Sequence, residues 1–132
     1  MLYGLDTSAL VRIITAEPPE LAERVAKRVA QLIAEGNTCL VSDVVVAETH
    51  YALQYHYGFT KAEAMSDLRQ IAEAVGFEFS PSAKSALSLP RADRASPGIV
   101  DRILAGEYLS RDATTLSCER DFRKLPRTEV IQ

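Results

Sequence analysis

Five acidic residues stand where alternating strands and helices would gather them at one edge of a fold. Asp6 closes the apolar segment Met1-Leu2-Tyr3-Gly4-Leu5, and Thr7-Ser8-Ala9-Leu10 follow at once. A strand that ends in a carboxylate and turns directly into a helix puts that carboxylate at the carboxyl edge of a sheet. Open α/β sheets bind ligands at that edge. Glu48 has Val44, Val45, Tyr51 and Ala52 as helical neighbours, a pattern that predicts an inward-facing carboxylate. A buried charge of that kind needs a cation or hydrogen bonds. Asp101 falls near the start of a late helix beside Leu104 and Ala105, again an inward setting. Glu119 and Asp121 flank Arg120 after the last long strand.

Each acid has a plainer role when taken alone. Asp6 can cap the helix after it, and Asp101 suits a helix first turn. Glu48 can pair with an arginine, and Glu119 and Asp121 can be solvated turn residues. Together, without matching Cys or His, they point to a hard divalent cation, Mg²⁺ or Mn²⁺. Such a site can lower the pKa of a bound water, aim it in line at a phosphodiester and neutralise charge on the leaving oxygen.

The elements that would position these acids are legible. Residues 2–5, 38–41, 77–79, 113–116 and 129–131 read as short strands. Helices are predicted from Ser8 to Thr15, from Pro19 to the stop at Gly36-Asn37, and from Ser42 or Asp43 to Tyr57 before Gly58. Thr60 and Glu63 form a capping box for a fourth helix that ends near Gly76. A fifth covers Ser82 to Leu89, and a sixth opens with Ser96 as cap and Pro97 in its first turn. The alternation predicts a mainly parallel sheet of about five strands flanked by helices.

The chain has 132 residues, 47% hydrophobic and 25% charged, which suits one domain, residues 1–132, with one core. A net charge of −3 argues against broad coating of nucleic acid but permits a local basic rim. Cys39 and Cys118 form no CxxC pair and no zinc pattern, and read as reduced, mostly buried thiols. No signal segment opens the chain and no apolar run approaches about 18 residues. The expectation is a soluble, cytoplasmic protein without membrane association.

The same residues resemble the PIN-domain family, and most closely the VapC-type toxin ribonucleases of toxin–antitoxin pairs. The resemblance is carried by Leu5-Asp6-Thr7-Ser8-Ala9-Leu10, Val44-Val45-Val46-Ala47-Glu48, Val100-Asp101-Arg102-Ile103-Leu104-Ala105 and Glu119-Arg120-Asp121-Phe122. It implies a three-layer α/β/α fold and a Mg²⁺- or Mn²⁺-dependent endoribonuclease. It further implies inhibition by a cognate small antitoxin and dimerisation through helices. It implies that Asp6, Glu48, Asp101 and Asp121 are the acidic quartet and that Ser8 supports Asp6. Relatives commonly carry Thr-x-Asp or Thr-x-Asn before the last acid; here Ser117, Cys118 and Glu119 stand there, so Glu119 and Asp121 compete for the fourth place. This departure also motivates an alternative, a catalytically weakened PIN module that binds RNA or a protein without cutting. An aspartyl phosphatase would carry a second acid where Ser8 stands, and a phospho-receiver domain would carry an early acidic pair.

A basic rim of Arg91, Arg94, Arg102, Arg120, Arg123 and Lys124 would hold RNA phosphates beside the acidic pocket. Tyr51, Tyr55, Tyr57 and Phe59 are dense enough to stack unpaired bases, though a core or dimer role is the preferred reading. His50 and His56 have no nucleophile or third partner and are assigned no catalytic role.

Overall fold

The computed structural model describes residues 1–88 and 97–131. Five strands and six α-helices are built from them, as the alternation predicts: β1 (Leu2–Leu5), α1 (Thr7–Thr15), α2 (Pro19–Ala34), β2 (Thr38–Val41), α3 (Asp43–Tyr57), α4 (Lys61–Glu73), β3 (Phe77–Phe79), α5 (Pro81–Leu87), α6 (Ile99–Ser110), β4 (Thr115–Ser117) and β5 (Thr128–Val130). A single 3₁₀ turn, Arg120–Lys124, lies between β4 and β5. All paired strands run parallel in a three-layer α/β/α arrangement. The ladders fall in two groups, β1-β2-β3 and β4-β5, rather than one continuous ladder of five.

Local chemistry sets the boundaries. Asp6 caps α1 and Ser42, not Asp43, caps α3 by accepting from the Val45 amide. Thr60 and Glu63 exchange both bonds of the capping box at 3.1 and 2.9 Å. Gly58 ends α3 at φ +72°, a conformation glycine adopts without penalty. The start of α6 differs from expectation. Its cap is Gly98, which makes no side-chain cap bond, and Pro97 precedes the helix instead of entering its first turn. The Pro97 carbonyl accepts from Arg102 Nε at 2.8 Å, a side-chain tether in place of a hydroxyl cap. Ser96 and Leu89 lie outside the described residues.

The core joins Leu10 of α1, Val41 of β2, Val46 of α3, Leu68 of α4, Phe79 of β3, Leu87 of α5 and Ile99 and Ile103 of α6. Burying one such side chain completely contributes about 1.5–3 kcal/mol. β1 is less buried than its apolar composition implies: it is the edge of its ladder, and Leu2 is 65% exposed. Cys39 is buried in β2, whereas Cys118, just past β4, is exposed, which corrects its expected burial; both are free thiols.

Candidate functional site

Asp6 occupies the carboxyl end of β1, as its position predicts. Its Oδ1 accepts from the Ser8 hydroxyl at 2.7 Å and from the Ala9 amide at 2.9 Å. The Ala9 amide first, then the Ser8 hydroxyl, hold this exposed carboxyl below the usual aspartate range. Asp6 therefore stays ionised, and Ser8 fixes its rotamer.

Asp101 lies in the first turn of α6 and is half-buried. Burial, then the charges of Glu119 and Asp121, push its carboxyl above the usual range. Three acids separated by up to 20 sequence positions thus share one electrostatic neighbourhood. The chain after β4 explains how. Ser117 Oγ accepts from the Glu119 amide at 3.0 Å, and buried Phe122 anchors the 3₁₀ turn that carries Asp121. Both Glu119 and Asp121 are exposed.

Glu48 is not inward-facing. The core stripe of α3 is Val46, Thr49, His50 and Leu53, and a helix advances about 100° per residue, so Glu48 points away from it. Glu48 shares an exposed face with Val44 and Tyr51, 66% and 40% exposed. Apolar neighbours at helical spacing are therefore not core neighbours here. Tyr51 is nevertheless tied to the site. A β-carbon at Gly98, the α6 cap, would lie 3.9 Å from the Tyr51 hydroxyl. Burial, then Asp101, then Tyr55 raise the phenol above its ordinary pKa.

The donor set is all carboxylate oxygen, which suits a hard cation. Among the described residues, no three Asp, Glu, His or Cys side chains converge closely enough to hold one ion directly. Mg²⁺ commonly takes one or two carboxylates and keeps several waters, so a loose acidic neighbourhood with mutual repulsion still fits it. Asp101, with Glu119 or Asp121, would hold such an ion. The charges that raise Asp101 are those of Glu119 and Asp121; Asp6 and Glu48 are not among them.

A second acidic contact was not anticipated. Ser80, the α5 cap, donates to Asp43 Oδ1 at 2.6 Å. A hydrogen bond to Asp43, ahead of burial and the Asp43 charge, raises the Glu107 carboxyl. The signal available in sequence was the position of Asp43, one residue past the helix cap at the end of β2.

The basic rim is only partly described. Arg120, Arg123 and Lys124 are exposed after β4, Arg102 is half-buried with its Nε on Pro97, and Arg91 and Arg94 lie outside the described residues. Tyr57 and Phe59 are half-buried, and Tyr51 and Tyr55 are exposed, so the aromatic group divides between packing and surface. His50 is buried and His56 exposed. No described helix is long and apolar enough to cross a membrane.

No curated protein matches the chain. Among solved structures, the crystal structure of VapBC2 from Rickettsia felis bound to a DNA fragment from their promoter is similar, at 19% identity and a TM-score of 0.45, over 99% of this chain and 98% of that one. The PIN domain family profile matches residues 3–128, nearly the whole chain. With that match over nearly its whole length, and with the parallel strands and flanking helices described above, the chain belongs to the PIN domain family.

Proposed function

We propose that this protein is a VapC-type endoribonuclease toxin, acting in the cytoplasm as a single 132-residue domain and restrained by a small cognate antitoxin. PIN domains are in general nucleases that use divalent metal ions. The observation that carries the proposal is the match of residues 3–128 to the PIN domain family, and the charges of Glu119 and Asp121 acting on Asp101 agree with it, since such carboxylates repel unless a cation lies between them. A divalent ion there would supply the charge that activates an attacking water and offsets the leaving oxygen of a phosphodiester. Asp6, ionised and locked by Ser8, supplies a fixed negative charge at the strand end. Glu48, on the exposed face of α3, is a further candidate ligand for the ion. Arg120 and Arg123 would bind flanking phosphates, with Arg91, Arg94 and Arg102 as further candidates. Mg²⁺ and Mn²⁺ suit the oxygen ligands equally.

A homodimer is part of the proposal. An apolar groove lined by Val44, Ala47, Val100, Ile103 and Leu104 runs between α3 and α6, with Asp43 and Glu107 at its rim. Helix-mediated pairing would cover it.

The test is cleavage of total RNA by purified protein with Mn²⁺, with Mg²⁺ and with EDTA, beside Asp101→Asn. Metal-dependent fragments from the unmutated chain alone support the proposal. Equal cleavage by Asp101→Asn overturns it. Binding of RNA without any cleavage would favour the weakened binding module, a reading motivated by the absence of three convergent ligands among the described residues.

A further inference from the structure

Tyr51 and Tyr55 are one helical turn apart on α3, and their rings stack with centroids 6.2 Å apart and planes 21° from parallel. Neither is core: Tyr51 is 40% and Tyr55 76% exposed. A stacked pair of exposed aromatics on a helix needs an explanation, because each ring keeps a large apolar area in water that a contact would remove. Its inner end is fixed. A β-carbon on Gly98, the cap of the helix whose first turn carries Asp101, would lie 3.9 Å from the Tyr51 hydroxyl, and buried His50 packs edge-on to the Tyr51 ring at 5.5 Å. Exposure then rises from Tyr51 to Tyr55.

We infer that Tyr51 and Tyr55 form a stacking platform for an unpaired RNA base lying within one nucleotide of the phosphodiester at Asp101. The inference rests on the reading of the acidic cluster as an RNA-cutting site. A phosphate placed at Asp101 leaves the adjoining base free to rotate unless a planar surface receives it, and unpaired RNA bases are held by aromatic side chains in this way. Stacking is tolerant of base identity because every base offers a π-face. The platform would therefore select unpaired over paired RNA and hold the strand in register, without reading a long sequence. The position of Tyr51 beside the helix that carries Asp101 favours RNA as the occupant. The apolar groove lined by Val44 and Ala47 ends about 12 Å along α3 from Tyr55 by the 1.5 Å rise per residue, but only one turn from Tyr51, so a second copy is the competing outcome that the test must read.

The test uses the full chain carrying Asp101→Asn, so that the probe is not cut. The probe is a fluorescein-labelled single-stranded RNA octamer, compared with an octamer of equal charge whose central positions are abasic. Tyr55→Leu should weaken binding of the intact octamer by between about 5- and 150-fold, the range for loss of one stacked base, while Tyr55→Phe binds like the parent. The abasic octamer should bind all three alike. Tyr51→Leu should behave like Tyr55→Leu. Unchanged octamer affinity in both leucine variants would overturn the inference, as would equal losses for the abasic probe. A shift in sedimentation of Tyr55→Leu to a smaller species at unchanged RNA affinity would overturn it in favour of a protein contact. Failure of the nuclease reading is distinguished by the unmutated chain: no metal-dependent cleavage sinks that reading, while base-dependent binding still decides the platform.

Discussion

Ser8 Oγ donates to Asp6 Oδ1 at 2.7 Å, and the same oxygen takes the Ala9 amide in the first turn of α1. One carboxylate thus serves as helix cap and as fixed charge, and substitution can separate the two roles. Asn caps a helix about as well as Asp, whereas Ala costs about 1 kcal/mol. Asp6→Asn should melt within a degree or two of the parent but lose at least about 10-fold in cleavage rate, in the range expected for removing a positioned charge. Asp6→Ala should lose both. Calorimetry beside an RNA cleavage assay separates them; an Asp6→Asn protein that cuts normally would leave the cap as the residue's whole role.

Asp101 should oppose folding when no cation is present. Its carboxyl titrates above the ordinary range because of burial, Glu119 and Asp121, so the folded state holds a proton that the unfolded state releases. Stability from this group is present below the unfolded pKa and is lost as pH rises through the folded one. Asp101→Asn should therefore raise the melting temperature of metal-free protein at neutral pH and change it little under acid conditions. A lower melting temperature at pH 7 would contradict this.

The competition between Glu119 and Asp121 is measurable at Asp101. Glu119 is the larger of the two charge effects on its carboxyl. Glu119→Gln should move the Asp101 carboxyl titration, followed by carbon NMR, further toward the ordinary range than Asp121→Asn does. Titration of Mn²⁺ into the two variants then identifies the ligand: the one that loses about 10-fold or more in affinity supplied the fourth acid, since one carboxylate lost from an ion site is worth about 1.4 kcal/mol or more.

His50 is 2% exposed, and no described group hydrogen-bonds either ring nitrogen. Burial first, then the Lys61 charge, lower its pKa to about 4 from 6.5. The unfolded chain binds a proton more readily, so stability from neutral His50 is full above about pH 6.5 and falls as pH drops toward 4. The loss at the acid end is on the order of 3 kcal/mol. His50→Leu should flatten urea-derived stability across that window. An unchanged slope would place the proton uptake elsewhere.

Gly76 adopts φ +93°, and a β-carbon on it would meet Ile33 side-chain atoms at 2.6 Å. Gly76→Ala therefore combines backbone strain with overpacking and should cost roughly 2–4 kcal/mol. Adding Ile33→Ala should recover the steric share but not the strain, so the double variant should cost less than the sum of the two. Additive losses in denaturant titrations would show that Ile33 moves aside freely.

Where structure follows local chemistry, the sequence is easily read. The strands at 2–5, 38–41 and 77–79, the Thr60–Glu63 box and the Gly58 stop all depend on a few adjacent residues. Asp6 was legible for the same reason, because its cap role and its place at the strand end are local. Glu48 departs from its sequence pattern because α3 carries apolar residues on both faces, Val46 and Leu53 inward and Val44 and Tyr51 outward. Periodicity cannot choose between two apolar stripes. The proximity of Tyr51 to Asp101, the Ser80–Asp43–Glu107 contacts and the division of the ladders all depend on packing between distant segments, which carries no local signature.

None of the five acids belongs to the hydrophobic core, which Leu10, Val41, Val46, Leu68, Phe79 and Ile103 close without them. Architecture and chemistry can therefore be lost separately. A copy whose carboxylates have been replaced by their amides should keep its folded exterior. If the proposed antitoxin recognises that exterior, such a copy would go on occupying it and act as a decoy for intact copies.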